Sequence, residues 1–272
     1  MPPYPSPGAD APPSSRKTPL YFFREENSNL IVKGNFMTLA AKPEYVDKGE
    51  WLAHQVVEQY RLLEGMIKVV QEVDQNSNLP ICNPHSCPTM SAAEFTYTWL
   101  DNQRNPVRIP ATQYINLVQK WILGKINNPD IFPTGEPSYA ASSAQSAGDK
   151  PIPAGPTSLS KEQLAAGSRD WVGKASGFPE NFENDIKSLY RQMFRCYAHL
   201  YHGHWLEPFY HLGATKELNT CFIHFINVGR LFGLLNEKDL RPMQPLIDIW
   251  QSKELLCAPQ QTTVPQQIAV AA

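Results

Sequence analysis

Two cysteines and a late group of histidines are the residues of this sequence with the most distinctive chemistry. Cys82 and Cys87 are separated by four residues, and His199, His202 and His204 follow much later in the chain. Thiolate and imidazole are the ligands that zinc prefers, and two of each complete a closed tetrahedral site. Spacing alone leaves chance clustering open, because the two halves of such a site are far apart in sequence.

The helical spacing of the histidines places a condition on a shared metal. On a straight helix His199 and His202 are neighbours, whereas His199 and His204 lie about 140° apart. For His199 and His204 to share an ion, the helix must end or distort near Gly203. His85 is a further candidate ligand, although an ordinary loop residue is the simpler interpretation of that position.

Motifs of known catalytic sites are absent from the sequence. It has no G-x-S-x-G nucleophile turn, no H-E-x-x-H motif, no H-R-D or D-F-G kinase motif and no Rossmann glycine triplet. A zinc hydrolase with water as the fourth ligand and His202 or His85 as base is the enzymatic alternative. No carboxylate accompanies the candidate ligands as metalloproteases require, so we predict that the chain is not an enzyme.

Composition argues against several classes of protein. The 272 residues are 42% hydrophobic, enough for a real core, and 24 Lys+Arg against 26 Asp+Glu give a net charge of −2. This near-balance argues against a nucleic-acid partner. Five cysteines are an odd number at uneven spacing, which argues against a disulfide framework. No apolar run approaches the ~20 residues of a membrane span, so we predict no membrane insertion.

Apolar residues recur at helical spacing in five stretches, which are 47–73, 113–126, 181–202, 215–232 and 239–250. Asp47 is placed to cap the first helix, and Glu50 follows three residues later as in a capping box. Phe95, Tyr97 and Trp99 alternate with threonines, which predicts a strand of a β-hairpin. The predicted fold is mainly α, a helical bundle with one small β-hairpin.

Three segments are predicted to lie outside this bundle. Residues 1–19 are rich in proline and serine and predict a disordered tail, and residues 257–272 predict another. Residues 134–176 are dominated by Ala, Ser, Gly and Pro, and predict an insertion loop with a short ordered piece near Trp171. The single domain then spans residues 20–256, interrupted by that insertion.

A series of short motifs, in a fixed order, gives the chain a family resemblance. They are Cys82-x4-Cys87-Pro-x-Met-Ser-Ala, Tyr97-x-Trp99, Pro110-Ala-x-Gln-Tyr114, Trp121, Phe132-Pro133, Phe178-Pro-x-Asn-Phe182 and Phe194-Arg-x-Tyr-Ala-His199-x-Tyr-x-x-His204. Together they resemble the MOB (Mps-one-binder, or phocein) family. The resemblance runs from about residue 34 to residue 250 and excludes the insertion, which falls where the family usually has only a few residues.

The resemblance implies a fold, a cofactor and a function. It implies a mainly helical domain with one structural Zn²⁺ per chain, held by Cys82, Cys87, His199 and His204. Four protein ligands leave no open position for water, so such a zinc would not be catalytic. MOB proteins bind and activate NDR/LATS-type protein kinases in cell-cycle, cytokinesis and polarity signalling. A cytoplasmic and nuclear location is the matching expectation.

The resemblance also implies a kinase-binding face on the first long helix. Asp47, Glu50 and Glu58 share one face of that helix, and Val56 lies on the opposite, apolar face. At such positions MOB proteins carry acidic residues that face a basic N-terminal regulatory segment of the kinase. For Glu50, a purely local capping role is an equal alternative. Glu58 is mid-helix, so we expect it to be exposed and to take part in the interface.

A second surface is predicted on the helix that carries the histidines. Arg191 and Arg195 lie opposite its apolar stripe, together with Ser188 and His202, and paired guanidiniums suit an acidic or phosphorylated segment of a scaffold. A solvated helix face is the plain alternative. Family members that bind phosphopeptides have three basic residues here, and Gln192 replaces one of them. This departure is similar to the NDR-partnered branch and leaves a phocein-type phosphopeptide adaptor as the second functional hypothesis.

Overall fold

A computed structural model of the chain describes residues 21–32, 34–75, 77–133 and 170–258. The predicted N-terminal tail, residues 134–169 of the predicted insertion and residues 259–272 lie outside the described residues. Cys257, the first residue of the predicted C-terminal tail, is buried against the domain. Its N–H donates a hydrogen bond to the Asn227 side chain over 2.7 Å, so the packed part of the chain includes this residue.

The described helices follow the predicted periodicity closely. They are α1 (Phe36–Ala40), α2 (Lys48–Gln71), α3 (Ala111–Ile126), α4 (Phe182–His204), α5 (Thr215–Leu231), α6 (Glu237–Leu240) and α7 (Gln244–Ser252). The last predicted helix is the exception, because α6 and α7 are separated by a 3-10 turn at Arg241–Met243. Pro242 and Pro245 lack the N–H that a continuous helix needs, which explains the division. None of the described helices combines the length and the apolar character of a bilayer span.

The predicted small hairpin is confirmed, but the alternating run is divided between two ladders. β1 (Ser91–Ala92) pairs antiparallel with β2 (Phe95–Thr96), and β3 (Trp99–Leu100) pairs antiparallel with β4 (Pro106–Val107). Ala93 adopts a φ of 51° in the tight turn between β1 and β2. Without a glycine or asparagine at that position, the local sequence gives no signal for this turn.

Helix α4 is the centre of the core. It packs against α2, α3 and β1, and most of its length is buried. Aromatic rings join it to α5: the Tyr190 and Phe225 rings stack with centroids 4.7 Å apart, and Tyr197 contacts Phe222 at 5.1 Å. Burial of each such side chain contributes about 1.5–3 kcal/mol, so the packing of α4 holds the domain together.

The two described ends of the predicted insertion converge on one residue of α4. The ring of Phe132 lies 5.4 Å from that of Phe182, and Phe178 contacts the same ring at 4.2 Å. The returning chain also touches the start of α2, where a Cβ added to Gly49 would lie 2.5 Å from the Cα of Gly173. The predicted ordered piece near Trp171 is confirmed, since residues 170–178 pack on the domain.

Candidate metal centre and partner surfaces

Four side chains that the sequence places in two distant segments meet in the structure. One ligand atom from each of Cys82, Cys87, His199 and His204 lies within 4.8 Å of all the others, and all four residues are buried. The cysteines come from the loop between α2 and β1, and the histidines come from the last turns of α4. The group could therefore hold a metal ion between the cysteine loop and the end of α4.

Main-chain hydrogen bonds shape the cysteine loop. The N–H of Cys82 donates to the Val70 oxygen over 2.8 Å, which fixes the loop to the end of α2. Asn83 closes a turn, because its side-chain oxygen accepts from the N–H groups of His85 and Ser86 over 2.8 and 3.1 Å. The N–H of Cys87 then donates to the Asn83 oxygen, which brings both sulfurs toward α4. His85 stays exposed and does not join the group.

The sequence required the helix to end or distort near Gly203 if His199 and His204 were to share an ion, and the structure meets this condition. His204 has a φ of −133°, outside the helical range, and α4 ends there before a wide π-type turn at Trp205–Tyr210. This distortion brings the two rings to a centroid distance of 5.2 Å. The preceding Gly203 lies against the first ring, since an added Cβ would come within 3.3 Å of His199 Cε1.

The distances between the donor atoms match a tetrahedral zinc site. Cys82 Sγ lies 3.7 Å from His199 Nε2, and Cys87 Sγ lies 3.5 Å from His204 Nε2. Zinc–sulfur and zinc–nitrogen bonds at tetrahedral angles place sulfur and nitrogen about 3.6 Å apart. His199 Nδ1 donates to the Ser91 oxygen over 2.9 Å, which leaves Nε2 free to bind a metal. The four residues thus fit zinc in chemistry and spacing.

The two thiols share protons in a way that also suits a cation. The hydrogen bond from Cys82 lowers the pKa of the Cys87 thiol, with His199 and His204 acting in the same direction. That same bond and burial raise the pKa of Cys82 well above its usual range. A cation bound between the two sulfurs would take the place of a thiol proton.

Comparison with known proteins identifies the family. The sequence model of the Mob1/phocein family matches residues 28–149 and 158–243. This chain belongs to the Mob1/phocein family.

Relatives of this Mob1/phocein chain are named for their effects on kinases and ploidy. It is 34% identical over 242 residues, 89% of its length and 80% of the relative's, to "Maintenance of ploidy protein mob2" of Schizosaccharomyces pombe. It is 32% identical over 224 residues to "CBK1 kinase activator protein MOB2" of Saccharomyces cerevisiae, covering 82% of this chain and 62% of that one. The protein of the same name in Candida albicans is 30% identical over 86% of this chain and 60% of its own. Two of these names describe kinase activators rather than catalysts, in agreement with the prediction that the chain is not an enzyme.

His202 was predicted to lie on a solvated polar stripe of α4, but in the structure its side chain packs against other parts of the domain. Its Nε2–H donates to the Pro242 oxygen over 2.9 Å, and its ring meets Phe22 and Phe23 edge-on at 5.0 and 5.7 Å. Burial lowers the pKa of His202. These contacts join α4 to the N-terminal segment and to the turn before α7, and they cover the His202 side chain.

The three acidic residues predicted on one face of α2 have different surroundings in the structure. Asp47 caps the helix, with its carboxylate accepting from the N–H groups of Gly49 and Glu50 over 2.8 and 3.3 Å. The Glu50 side chain is exposed and makes no return bond to Asp47 in the described structure. Glu58 was expected to be exposed but is half-buried, and its charge acts on Cys221 and His224 of α5.

The two arginines of α4 are engaged by other parts of the domain. Arg195 Nη1 donates to the Tyr114 hydroxyl over 2.8 Å, and its guanidinium carbon lies 5.0 Å from the Tyr97 ring centroid. Arg191 Nε lies 3.5 Å from a carboxylate oxygen of Asp239. The two arginines therefore do not form the predicted solvated stripe. Arg195 makes tertiary contacts, and Arg191 forms a half-exposed ion pair.

Sequence reasoning missed the groups that support these side chains. The Ser91 oxygen belongs to the main chain and carries no sequence signal. Gly203 was named only as a point of distortion, and its close approach to His199 was not expected. Asn83 was detectable, because Asn followed three residues later by Ser is typical of a side-chain-closed turn.

Proposed function

We propose that this chain is a non-catalytic adaptor that binds and activates a Ser/Thr protein kinase of the NDR/LATS type, in cell-cycle, cytokinesis or polarity signalling. The observation that carries the proposal is the similarity to MOB2 proteins named as activators of CBK1 kinase. A shared location of the chain and its kinase in cytoplasm and nucleus is part of the proposal.

Zinc is the metal that we propose for the buried Cys2His2 group. Two sulfurs and two nitrogens in a tetrahedral arrangement are typical of structural zinc. The ion would hold the cysteine loop against the end of α4, and that loop in turn contacts α3 through the bond from the Ala111 N–H to the Cys87 oxygen, 3.0 Å long. Its contribution is to folding, since all four positions are taken by protein side chains.

The first two turns of α2 are the kinase-binding face that we propose. Glu50 presents an exposed carboxylate there, and Asp47 adds its charge while capping the helix. Glu58 continues the same face about 2.2 turns beyond Glu50, where it is half-buried beside α5. A basic regulatory segment of the kinase would be attracted over this face, and arginine can bond carboxylates through two parallel hydrogen bonds.

The proposal is tested by calorimetry with a purified NDR-type kinase that retains its N-terminal regulatory segment. We expect Glu50→Lys to weaken binding by at least tenfold and to reduce kinase activation in parallel. Glu58→Gln is the suitable change at the half-buried position, because it removes charge with little change in volume; we expect a smaller loss. Binding of the unmodified chain should weaken as salt rises, since exposed charge pairs are screened.

Glu72→Lys is the matched control for this experiment. Glu72 is exposed at the C-cap that ends the same helix, about 33 Å from Glu50. It should bind like the unmodified chain, and circular dichroism should show all three variants folded. Unchanged affinity of Glu50→Lys would refute the α2 face, whereas absence of any kinase binding by the unmodified chain would refute the kinase partner itself.

A phosphopeptide adaptor of the phocein type is the second candidate. It is favoured by Arg195, because the bond to Tyr114 uses one of its five N–H donors and others can bind a ligand. It is disfavoured by Asp239, which already partners Arg191, and by Gln192. A fluorescence titration with phosphothreonine peptides decides between the two, with Arg191→Ala as the variant that leaves the Tyr114 contact intact.

A further inference from the structure

A surface cavity borders the metal centre on one side. The cavity has a volume of about 760 Å³ and lies between the cysteine loop, the β1–β2 turn and the end of α4. Cys87 and His199 line this cavity, together with Ser86, Ser91, Glu94 and Gly203 among others. Cys82 does not line it and is 1% exposed, against 8% for Cys87. Of the two cysteines, Cys87 therefore has the greater access to solvent, on the side that faces the cavity.

The two sulfurs are also close enough to react with each other. Both belong to one short loop, and their Sγ atoms lie within 4.8 Å. A disulfide needs them about 2.05 Å apart, so a movement of less than about 3 Å is sufficient. The loop that carries them is exposed at Pro84, His85 and Ser86, which leaves room for that movement.

We propose that Cys87 is a site of oxidative modification, with Cys82 as the resolving thiol. The Cys87 sulfur attacks one oxygen of a hydroperoxide such as H₂O₂; the O–O bond breaks, a Cys87 sulfenic acid forms and one water leaves. The Cys82 sulfur then attacks the Cys87 sulfur; the S–S bond forms, the S–O bond breaks and a second water leaves. Two electrons pass from the sulfur pair to the peroxide, and two protons are taken up when both sulfurs start as thiolates.

The disulfide would disconnect the cysteine loop from α4 while leaving its other attachments in place. Both sulfur ligands are consumed, so His199 and His204 alone cannot retain the ion. The bonds from the Cys82 N–H to Val70 and from the Ala111 N–H to Cys87 involve only the main chain and persist. Oxidation would thus release α4 from the loop without releasing α2 or α3.

The test treats the purified full chain, loaded with zinc, with increasing H₂O₂. Released zinc is measured with a colorimetric chelator, and the cysteines are mapped by mass spectrometry. We expect one zinc released for each Cys82–Cys87 disulfide, and recovery with dithiothreitol and added zinc. Cys82→Ser should give Cys87 that is labelled by dimedone, because the sulfenic acid has no resolving partner.

Cys221→Ser is the matched control, because Cys221 is a half-buried thiol outside the metal group. It should release zinc and form the disulfide like the unmodified chain. Oxidation of Cys221 ahead of Cys87, or zinc loss without a Cys82–Cys87 disulfide, would overturn the proposal. If the purified chain holds no zinc, the metal assignment fails separately, and the presence or absence of the disulfide still decides the modification.

Discussion

His199 Nδ1 and the main-chain oxygen of Ser91 lie 2.9 Å apart, so a residue of β1 sets the orientation of a candidate metal ligand on α4. A carbonyl oxygen can only accept, which places the proton on Nδ1 and leaves Nε2 unprotonated beside Cys82. The pairing of Ser91 with Thr96 holds that oxygen in position. The small β1–β2 ladder therefore serves the metal centre as well as the surface it covers.

Gly203→Ala should separate helix stability from metal affinity. Alanine in place of a helical glycine stabilises the metal-free chain by about 0.5–1 kcal/mol. The new Cβ would lie 3.3 Å from the His199 ring, which can turn away in the metal-free chain but is fixed when it binds an ion, so we expect about tenfold weaker zinc binding, or about 1.4 kcal/mol. Competition with a chelator measures the affinity, and urea unfolding of the metal-free form measures the stability.

Gly65→Ala is the control for that substitution. Gly65 is helical and exposed, with nothing within 4 Å of an added Cβ. It should stabilise both forms and leave zinc affinity unchanged. Equal zinc affinity in Gly203→Ala and Gly65→Ala would show that the glycine has no role in placing His199.

Loss of one metal ligand should destabilise the domain. The purified chain is expected to carry about one zinc, and Cys87→Ser or His204→Ala should lower Tm by about 10 °C, because binding free energy of a structural zinc is folding free energy. Chelator should lower the Tm of the unmodified chain and leave that of the variants nearly unchanged. A chain free of metal by mass spectrometry, with a Tm indifferent to chelator, contradicts the zinc assignment.

His224 should make the domain less stable as pH falls below about 6.5. Burial lowers the pKa of His224 from its usual 6.5, and Glu58 only partly opposes this. Between the lowered value and 6.5 the unfolded chain takes up a proton that the folded chain does not, so stability falls with decreasing pH. Urea unfolding at pH 7.5 and 5.5 should show a smaller loss for His224→Gln than for the unmodified chain.

Protonation of the metal ligands also lowers the stability at low pH, and it does so equally in the unmodified chain and in both His variants. His85→Gln is the control, because His85 is exposed and outside the metal group. Its loss between the two pH values should equal that of the unmodified chain. If His224→Gln lost as much stability between the two pH values as the unmodified chain, a contribution from His224 would be ruled out.

Tyr114→Phe should reveal the hydrogen bonds that the sequence could not show. The hydroxyl accepts from Arg195 and donates to Gln192, both over 2.8 Å, and Tyr114 is fully buried. Its removal leaves two polar groups without their partner, and we expect a loss of about 1–2 kcal/mol in urea unfolding. Tyr190→Phe is the control, since the buried Tyr190 hydroxyl has no hydrogen-bond partner among the described residues and its removal should cost little. Equal losses in both variants would mean that the Arg195–Tyr114–Gln192 contacts contribute nothing.

The helices were predictable because each must bury one stripe of residues. Val56, Leu63 and Ile67 recur on one face of α2, and all three are buried in the structure. The residue types of the metal group were predictable, since few residue types bind zinc, and the Mob1/phocein family match covers both the Cys82 and the His199 segments.

The remaining features depend on contacts that no local pattern contains. Glu58 is half-buried because α5 packs beside α2, and a helical wheel of α2 alone does not show that neighbour. Arg195 is held by Tyr114, 81 residues away in the chain, so its face could not be judged from α4. Ala93 takes a left-handed conformation that the sequence around it does not favour, which is why one hairpin was predicted instead of two ladders.

Phe132 and Phe178, both packed on Phe182, turn the site of the insertion into a fixed two-point attachment. When both ends of a connection are held by the domain, doubling the connection's length adds only about 0.6 kcal/mol of closure entropy. The length and content of the chain between those ends can therefore change across related proteins with little effect on the fold. The same two points offer protein engineers a position for grafting a reporter or a second binding module.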